Sequence, residues 1–523
     1  MNTQRILKFG GSSVGTPEHI LRIVDLVTDH TRYPHGTVSG VVVSAFSGTT
    51  DALIDIARQA ALGDKGFEGD LRTVEKRHRY ALEQILPPTA RGAPLASIKV
   101  MFNELADLLQ GVLLLGECSG RTLDHIMSFG ERLSAFIVAE AFCARGTPSE
   151  VLDSRDVVKT DDQFGNARVE RDLTYSSIQS HVASRERLQI ITGFIGSTAD
   201  GATTTLGRGG SDLTASLFGA ALKVSEIEIW TDVDGMLTAD PRKVSKAFSI
   251  PEITFEEAME LCHFGAKVIY PPTMQPAIDA HIPLIIKNTM NPSSAGTRIV
   301  ETTVEHTYPI TGISSISSTA LIRLQGSGMV GVAGTAMRLF RALAQANINV
   351  ILITQASSEH TICCAIDPSL SQQAVSAVGR EFELEMKTGL IDPLRVESDL
   401  SIISVVGERM RQTPGMSGRI FTALGSNGVN VVAVAQGSSE LNISAVVHGA
   451  DEIKALNAIH DDFFVSRTKT VNLWIIGRGL IGSTLLKQLS EQQASLRENL
   501  GIDLQIRGLA NSRLMRLSTS VDS

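Results

Sequence analysis

Three features of this 523-residue sequence predict an α/β protein: a mainly parallel sheet covered by helices, then two small α+β units, then the start of a second parallel βαβ unit. From residue 1 to about 291, short β-rich apolar runs alternate with helical patterns, as at 40–44, 188–193, 226–230 and 283–287. Such alternation is the signature of parallel strands with both faces covered. Residues 349–362 return at 430–443, an offset of 81, which marks an internal repeat. An apolar run at 471–476 leads into Gly477-x-Gly479-x-x-Gly482 and a helical stretch. At roughly 100–200 residues per domain the length allows three or four domains, and the expected divisions are 1–300, 301–395, 396–465 and 466–523.

Composition narrows the class. With 45 Gly, 17 Pro and 43% hydrophobic residues the chain is globular rather than fibrous or disordered. No apolar run approaches the roughly 18 residues needed to cross a bilayer, and the N-terminus runs into its first strand without the pattern of a secretory leader. A cytoplasmic location is expected. The net charge of -9, without a long basic run, disfavours nucleic acid and anionic membrane as partners. Cys118, Cys143, Cys262, Cys363 and Cys364 are odd in number and contain no C-x-x-C pair, so neither a disulfide framework nor a protein-held metal is expected. His263 and His281 show no ligand spacing, and Cys363-Cys364 read as packing residues in a strand.

The first strand, about residues 5–9, ends in Lys8-Phe9-Gly10-Gly11-Ser12-Ser13. A glycine pair after a strand lets the backbone turn tightly and present N–H groups to an anion. The lysine precedes the glycines, so this is not the G-x-x-x-x-G-K-[ST] loop; an ordinary turn with a solvated lysine is the competing reading. Ligands of parallel sheets gather at the carboxyl ends of the strands. The unusual clusters 8–13, 44–51, 206–212 and 231–242 all follow such runs. In 203–212, Gly207, Gly209 and Gly210 flank Arg208, a natural fork for a carboxylate, and Ser211 or Asp212 can cap the helix that follows.

In the repeat, 349–355, 357–359 and 362 match 430–436, 438–440 and 443, and Gly334, Phe340 and Leu343 match Gly415, Phe421 and Leu424. Each copy reads as a strand, a helix, an Asn turn and a β-branched strand. A polar Gln beside a helix–strand junction is a seat for a zwitterionic amino acid. Downstream, Gly477, Gly479 and Gly482 stand between a strand and a helix, with a second strand at 504–509, as in a partial dinucleotide-binding Rossmann βαβ. Asn511-Ser512-Arg513 brings no acidic residue after that strand, which suits a 2'-phosphate better than a free ribose.

Lys8-Phe9-Gly10-Gly11-Ser12-Ser13-Val14, Ser44-Ala45-x-x-Gly48-x-Thr50, Gly130-Glu131, Gly193-Phe194-Ile195-Gly196, the 203–212 segment, Trp230-Thr231-Asp232-Val233-Asp234-Gly235, Asp240-Pro241-Arg242 and Phe264-Gly265-Ala266-Lys267 together resemble the aspartokinases of the amino acid kinase family. The repeat is similar to their paired ACT regulatory domains. The tail resembles the first part of homoserine dehydrogenase, as in the threonine-sensitive bifunctional members, and the resemblance stops before that enzyme's catalytic residues. It implies transfer of the γ-phosphoryl group of MgATP to the side-chain carboxylate of L-aspartate, the first step toward lysine, threonine and methionine. Dehydrogenase activity is not expected, and NADP binding by a half-built pocket is doubtful.

By the same resemblance Lys8 stabilises the transferring phosphoryl group and Asp212 orients Lys8. Arg208 holds the α-carboxylate of aspartate, Glu131 pairs with its ammonium group, and Ser44, Thr50 and Ser211 complete the pocket. Gly10, Gly11, Ser12, Thr231, Asp232, Asp240, Arg242 and Lys267 belong to the nucleotide side. Gln355 and Gln436 are the effector contacts, with threonine as the favoured effector and a homodimer or tetramer assembled through the ACT domains. Tyr270 and Pro272 depart from the implied His and Arg. Plainer readings stand beside several of these: a solvated helix face for Glu131, a turn for 240–242, surface glutamines for 355 and 436. Two other functions also compete, a catalytically silent amino-acid sensor and a dehydrogenase partner subunit.

Overall fold

Ile6, Leu7 and Phe9 have no solvent exposure, because β1 (Arg5–Phe9) lies inside a sheet with both faces covered. The structure is a computed structural model that describes residues 4–34, 37–266, 268–303, 308–355, 360–411, 413–465, 469–477, 479–500, 502–511 and 513–517. After β1 come β2 (Val38–Val43), β3 (Ser149–Leu152), β4 (Leu188–Thr192), the hairpin β5 (Ile195–Ser197) and β6 (Thr203–Thr205), β7 (Glu226–Thr231), β8 (Glu252–Thr254), β9 (Leu284–Asn288) and β10 (Thr297–Val300). Among the described residues, eight of these form one sheet in the order β3-β4-β2-β1-β7-β9-β10-β8, parallel except where β9 meets β10. This is the mainly parallel sheet the alternation predicts.

The period-2 alternation of β1 sorts its side chains. Leu7 and Phe9 join the core under the helices Pro17–Val27, Thr49–Ala61 and Gly120–Ala144. Ile6 joins the opposite core, built on the helix Gly210–Leu222, so Lys8 also points to that side. β2 flanks β1 on one side and β7 on the other, so the chain reverses its direction of travel across the sheet at β1, a usual place for ligands.

The repeat folds as β11 (Gly312–Gln325), β12 (Leu352–Gln355), β13 (Thr361–Ile366), β14 (Arg395–Val406), β15 (Val431–Gln436) and β16 (Asn442–His448). They form an antiparallel sheet in the order β12-β13-β11-β14-β16-β15. In space the two units are interleaved, and the expected division between 395 and 396 falls at the start of β14. The first part of β11 pairs Gly312 with Val406 and Ile316 with Ile402, serving the second unit, while its later part pairs with β13 of the first. β14 is shared in the same way. Ser318 and Asp399, 81 residues apart, both take left-handed backbone conformations, and the β11–β14 register shifts between Ile316 and Thr319. A bulge there lets each long strand turn from one unit into the other.

The helix Phe255–His263 joins the two sheets. Its Glu257 closes a capping box with Thr254 and also accepts hydrogen bonds from the Thr311 hydroxyl (2.6 Å) and the Glu408 N–H (2.8 Å), beside the ends of β11 and β14. Beyond it, β17 (Lys469–Ile476) and β18 (Ile502–Ala510) run parallel around the helix Leu480–Leu500, as the fingerprint predicts, and β19 (Met515–Leu517) returns antiparallel to β18.

Candidate active site

The Lys8 ammonium lies 2.6 Å from Asp212 Oδ1. Both residues are buried, at 8% and 9% exposure. Asp212 sits in the first turn of the helix Gly210–Leu222, whose capping residue Gly209 is left-handed at φ 71°. The strand end and the helix start thus bring opposite charges together at the edge of a cavity of about 600 Å³. Its wall gathers residues from four distant segments: Lys8 and Gly11, Ser44 and Thr50, Glu131, and Arg208, Ser211 and Asp212.

Glu131 is 3% exposed. It reaches the cavity because Gly130 lets its helix approach the 44–50 loop, where a Cβ would fall 2.8 Å from that of Ala45. The Ala45 N–H donates to Oε1 at 3.1 Å, and Oε2 has no hydrogen-bond partner among the described residues. Burial pushes the carboxyl pKa up from 4.5 to about 8, against the lowering pull of the Ala45 N–H. A solvated helix face for Glu131 is therefore excluded. A buried carboxyl with one open oxygen is suited to an incoming cation. Arg208, in contrast, is exposed and forms no ion pair among the described residues, so its fork is available to an anion. The cavity carries a cationic end, an acidic end and a paired lysine.

Several wall and support residues escape sequence reasoning. Leu123 and Met127 line the cavity two and one helical turns before Glu131, and the i, i+4 spacing back from Glu131 is the signal that finds them. Arg77 donates from Nη1 to the Ser47 carbonyl (2.7 Å) and from Nη2 to the Gly15 carbonyl (3.0 Å), tying the 44–50 loop to the glycine loop. His78, fully buried, stacks on Phe46 at 4.6 Å, and burial pulls its pKa down to about 4. Nothing local in the sequence marks these residues, which act from a helix 30 positions away.

The nucleotide-side expectations fare unevenly. The Gly10 N–H donates to the Trp230 carbonyl (3.2 Å), holding the glycine turn against the end of β7. Gly11 lines the cavity and Ser12 follows it in the first turn. Thr231 ends β7 and donates to Asp232 Oδ1 at 3.1 Å. Asp240 and Arg242 pair at 2.8 Å, with the Arg242 side chain exposed, and neither borders the cavity that holds Lys8. Their neighbour Lys243 reaches the regulatory part, where it meets Glu452 at 2.5 Å. Lys267 lies outside the described residues. Gln355 and Gln436, at the ends of β12 and β15, line one cavity of about 450 Å³ with Phe264, Asn442 and Ser444. In the tail, Gly477 is left-handed at φ 99°, and a Cβ on Gly482 would fall 2.0 Å from the Gly477 carbonyl oxygen. That contact explains the third glycine of the fingerprint as packing.

Residues 4–288 match the description of the amino acid kinase family, and 322–382 and 403–463 each match that of the ACT domain. The chain belongs to the amino acid kinase family. Its two ACT matches are offset by 81 residues, the offset of the repeat. The chain is 36% identical over 528 residues to the chloroplastic bifunctional aspartokinase/homoserine dehydrogenase of Daucus carota, covering 99% of this chain and 57% of that one. It is 32% identical to the chloroplastic aspartokinase 1 of Arabidopsis thaliana, covering 88% and 80%. Thus the chain spans little more than half the length of the bifunctional relatives. Among solved structures, E. coli aspartokinase III in complex with aspartate and ADP matches with a TM-score of 0.72 and 29% identity over 88% of this chain and 99% of that one. The same enzyme with lysine and aspartate gives 0.74 and 30%, over 88% and 100%. The amino acid kinase domain and the ACT pair therefore account for the chain up to about residue 465. No helix among the described residues is long and apolar enough to cross a membrane.

Proposed function

We propose that the protein is an aspartate kinase, moving the γ-phosphoryl group of MgATP to the side-chain carboxylate of L-aspartate to give 4-phospho-L-aspartate and ADP. The observation that carries this reading is the convergence of Lys8, Asp212, Glu131 and Arg208 on one cavity. Arg208 takes the α-carboxylate bidentately. Glu131 takes the ammonium group, supplying the missing partner for its open oxygen. Held at both ends, the amino acid points its side-chain carboxylate toward Lys8.

A carboxylate with a reference pKa of about 3.9 is ionised near neutrality, so the nucleophile needs no general base. What the step needs is cationic charge and alignment where two anions meet in line. Lys8, oriented by Asp212, supplies charge at the transferring phosphoryl group, with the N–H groups of Gly11 and Ser12 beside it; the magnesium arrives with the nucleotide. Thr231, Asp232, Asp240, Arg242 and Lys267 are assigned to the nucleotide side by resemblance. In that assignment Asp240 positions Arg242.

The product feeds lysine, threonine and methionine formation, and threonine binding at the ACT pair, near Gln355 and Gln436, lowers the activity. Edge strands β12 and β15, with Ile353 and Val434 exposed, offer a second copy a place to assemble. A coupled assay of aspartate-dependent ADP formation, run with and without threonine or lysine, tests the reading. Turnover that requires aspartate and falls with threonine supports it. Amino-acid binding without turnover replaces it with a sensor, and indifference to saturating threonine removes the effector assignment.

A further inference from the structure

Tyr270 is one of the two residues at which the sequence departs from the implied family pattern, and it lies against Arg208, the exposed arginine of the cavity wall. The Arg208 guanidinium carbon is 5.4 Å from the centre of the Tyr270 ring. The backbone beneath is fixed: the Tyr270 carbonyl accepts from the Thr273 hydroxyl (2.6 Å) and N–H (3.0 Å). A Cβ on Gly209 would fall 2.9 Å from both Tyr270 Cβ and Thr273 Cγ2, so residues 270–273 pack directly under the loop that carries Arg208.

We propose that Tyr270 is a positioning residue for Arg208, its ring holding the guanidinium plane at the angle in which the fork meets the α-carboxylate of the amino-acid substrate. The proposal rests on the aspartate-site reading given above. An arginine without an ion pair keeps many rotamers. A ring face attracts the guanidinium through its quadrupole and restricts those rotamers without competing for the N–H donors, which stay directed at a carboxylate. The ring is not itself locked into a core. It is 38% exposed and borders a second cavity of about 620 Å³, which shares Arg208, Gly209 and Asp212 with the first and also reaches Ile316, Asn349 and Ile351. Replacing it therefore removes the stack without emptying packed interior.

The test uses the full chain and three variants, Tyr270→Phe, Tyr270→Leu and Tyr270→Ala, with steady-state kinetics in both substrates and calorimetric titration of aspartate. The expected result is a KM and Kd for aspartate raised about three- to ten-fold in the Leu and Ala variants. kcat and the nucleotide KM stay within about two-fold, and the Phe variant matches the wild type. The Leu variant separates a π face from mere bulk. An unaltered aspartate KM in the Leu variant, a Phe variant as impaired as Ala, or an equal rise in the nucleotide KM overturns the proposal while leaving the substrate assignment standing. A wild-type chain that neither binds nor turns over aspartate overturns the assignment, and the proposal with it.

Discussion

Two glycine-rich turns in this chain join a strand to the start of a helix, and their surroundings differ. At the first, β1 lies inside the eight-stranded sheet, and the turn is followed by a cavity holding a buried ion pair. At the second, Gly477 and Gly482 shape an equally tight turn, yet Ile476, Leu480 and Ile481 beside it are 85%, 86% and 86% exposed. The glycines determine only the path of the backbone. What makes the first turn a candidate site is a sheet wide enough to bury Lys8 and Asp212 together, with a helix that carries Glu131 and a loop that carries Arg208 in from elsewhere. A glycine fingerprint therefore locates a turn, and the charges packed behind it decide whether chemistry follows.

The sharpest way to break that contrast is Lys8→Ala. Removing the cation proposed to act on the transferring phosphoryl group is expected to lower kcat by about 10²–10³, the cost of losing one preorganised charge at the reacting centre. It also leaves Asp212 buried without its partner, so the protein should lose on the order of 3–5 kcal/mol of stability, read as an earlier denaturant midpoint. A variant that retains full activity would show that the lysine is a bystander and that the two turns are alike after all.

Glu131 sharpens the comparison through pH. With burial holding its carboxyl at about 8, the group is protonated near neutrality, whereas an ammonium ligand requires the carboxylate. Aspartate binding at pH 7 should therefore release up to one proton, measured by calorimetry in buffers of different ionisation enthalpy. Affinity should rise with pH and level off above about 8. The sign for stability is opposite: the folded value lies above the ordinary 4.5, so this group's contribution is fully present below 4.5 and is lost as pH rises through about 8. Glu131→Gln should abolish the proton release, flatten that part of the stability profile and raise the aspartate KM roughly 10- to 100-fold by loss of a charge-assisted bond. Unchanged proton release in this variant would move the ammonium site elsewhere.

Local backbone chemistry made the first turn, the Arg208 loop, the parallel sheet and the 81-residue repeat legible in the sequence. Glu131 could be named only through the family resemblance, since a glutamate inside a helical run looks solvated until the small residue before it is seen to press the helix against Ala45. The interleaving of the two regulatory units was hidden, because a 14-residue strand gives no sign of changing partners midway other than the backbone conformation of Ser318. The pairing of Gly10 with Trp230 was hidden for the same reason: it depends on which strand lies beside β1. Arg77 belongs to this class too. Its two bonds to main-chain carbonyls hold the glycine loop and the 44–50 loop at a fixed distance, so Arg77→Ala should raise the aspartate KM roughly five-fold, on the order of 1 kcal/mol. Arg77→Lys, which can still reach one carbonyl, should fall between. Equal KM values for all three proteins would assign the tether no part in the site.

The smallest effect is expected at the second turn. The helix Glu452–Phe464 completes the regulatory core, with Ile459, Phe463 and Phe464 packed beside Val244 of the kinase part. A chain ending after Val465 keeps that helix whole, along with the Lys243–Glu452 pair that joins the two parts. Everything proposed for phosphoryl transfer lies before that point, so kcat, both KM values and the proposed response to threonine should stay within about two-fold of the full chain. Gly482→Ala in the intact chain should behave likewise. Its added Cβ would meet the Gly477 carbonyl oxygen at 2.0 Å and force the tail's turn open, a disturbance visible as faster amide exchange in residues 471–485 with no change in turnover. If either change cut the rate ten-fold, the tail would have to be coupled to the kinase cavity, and the two turns could no longer be treated as separate.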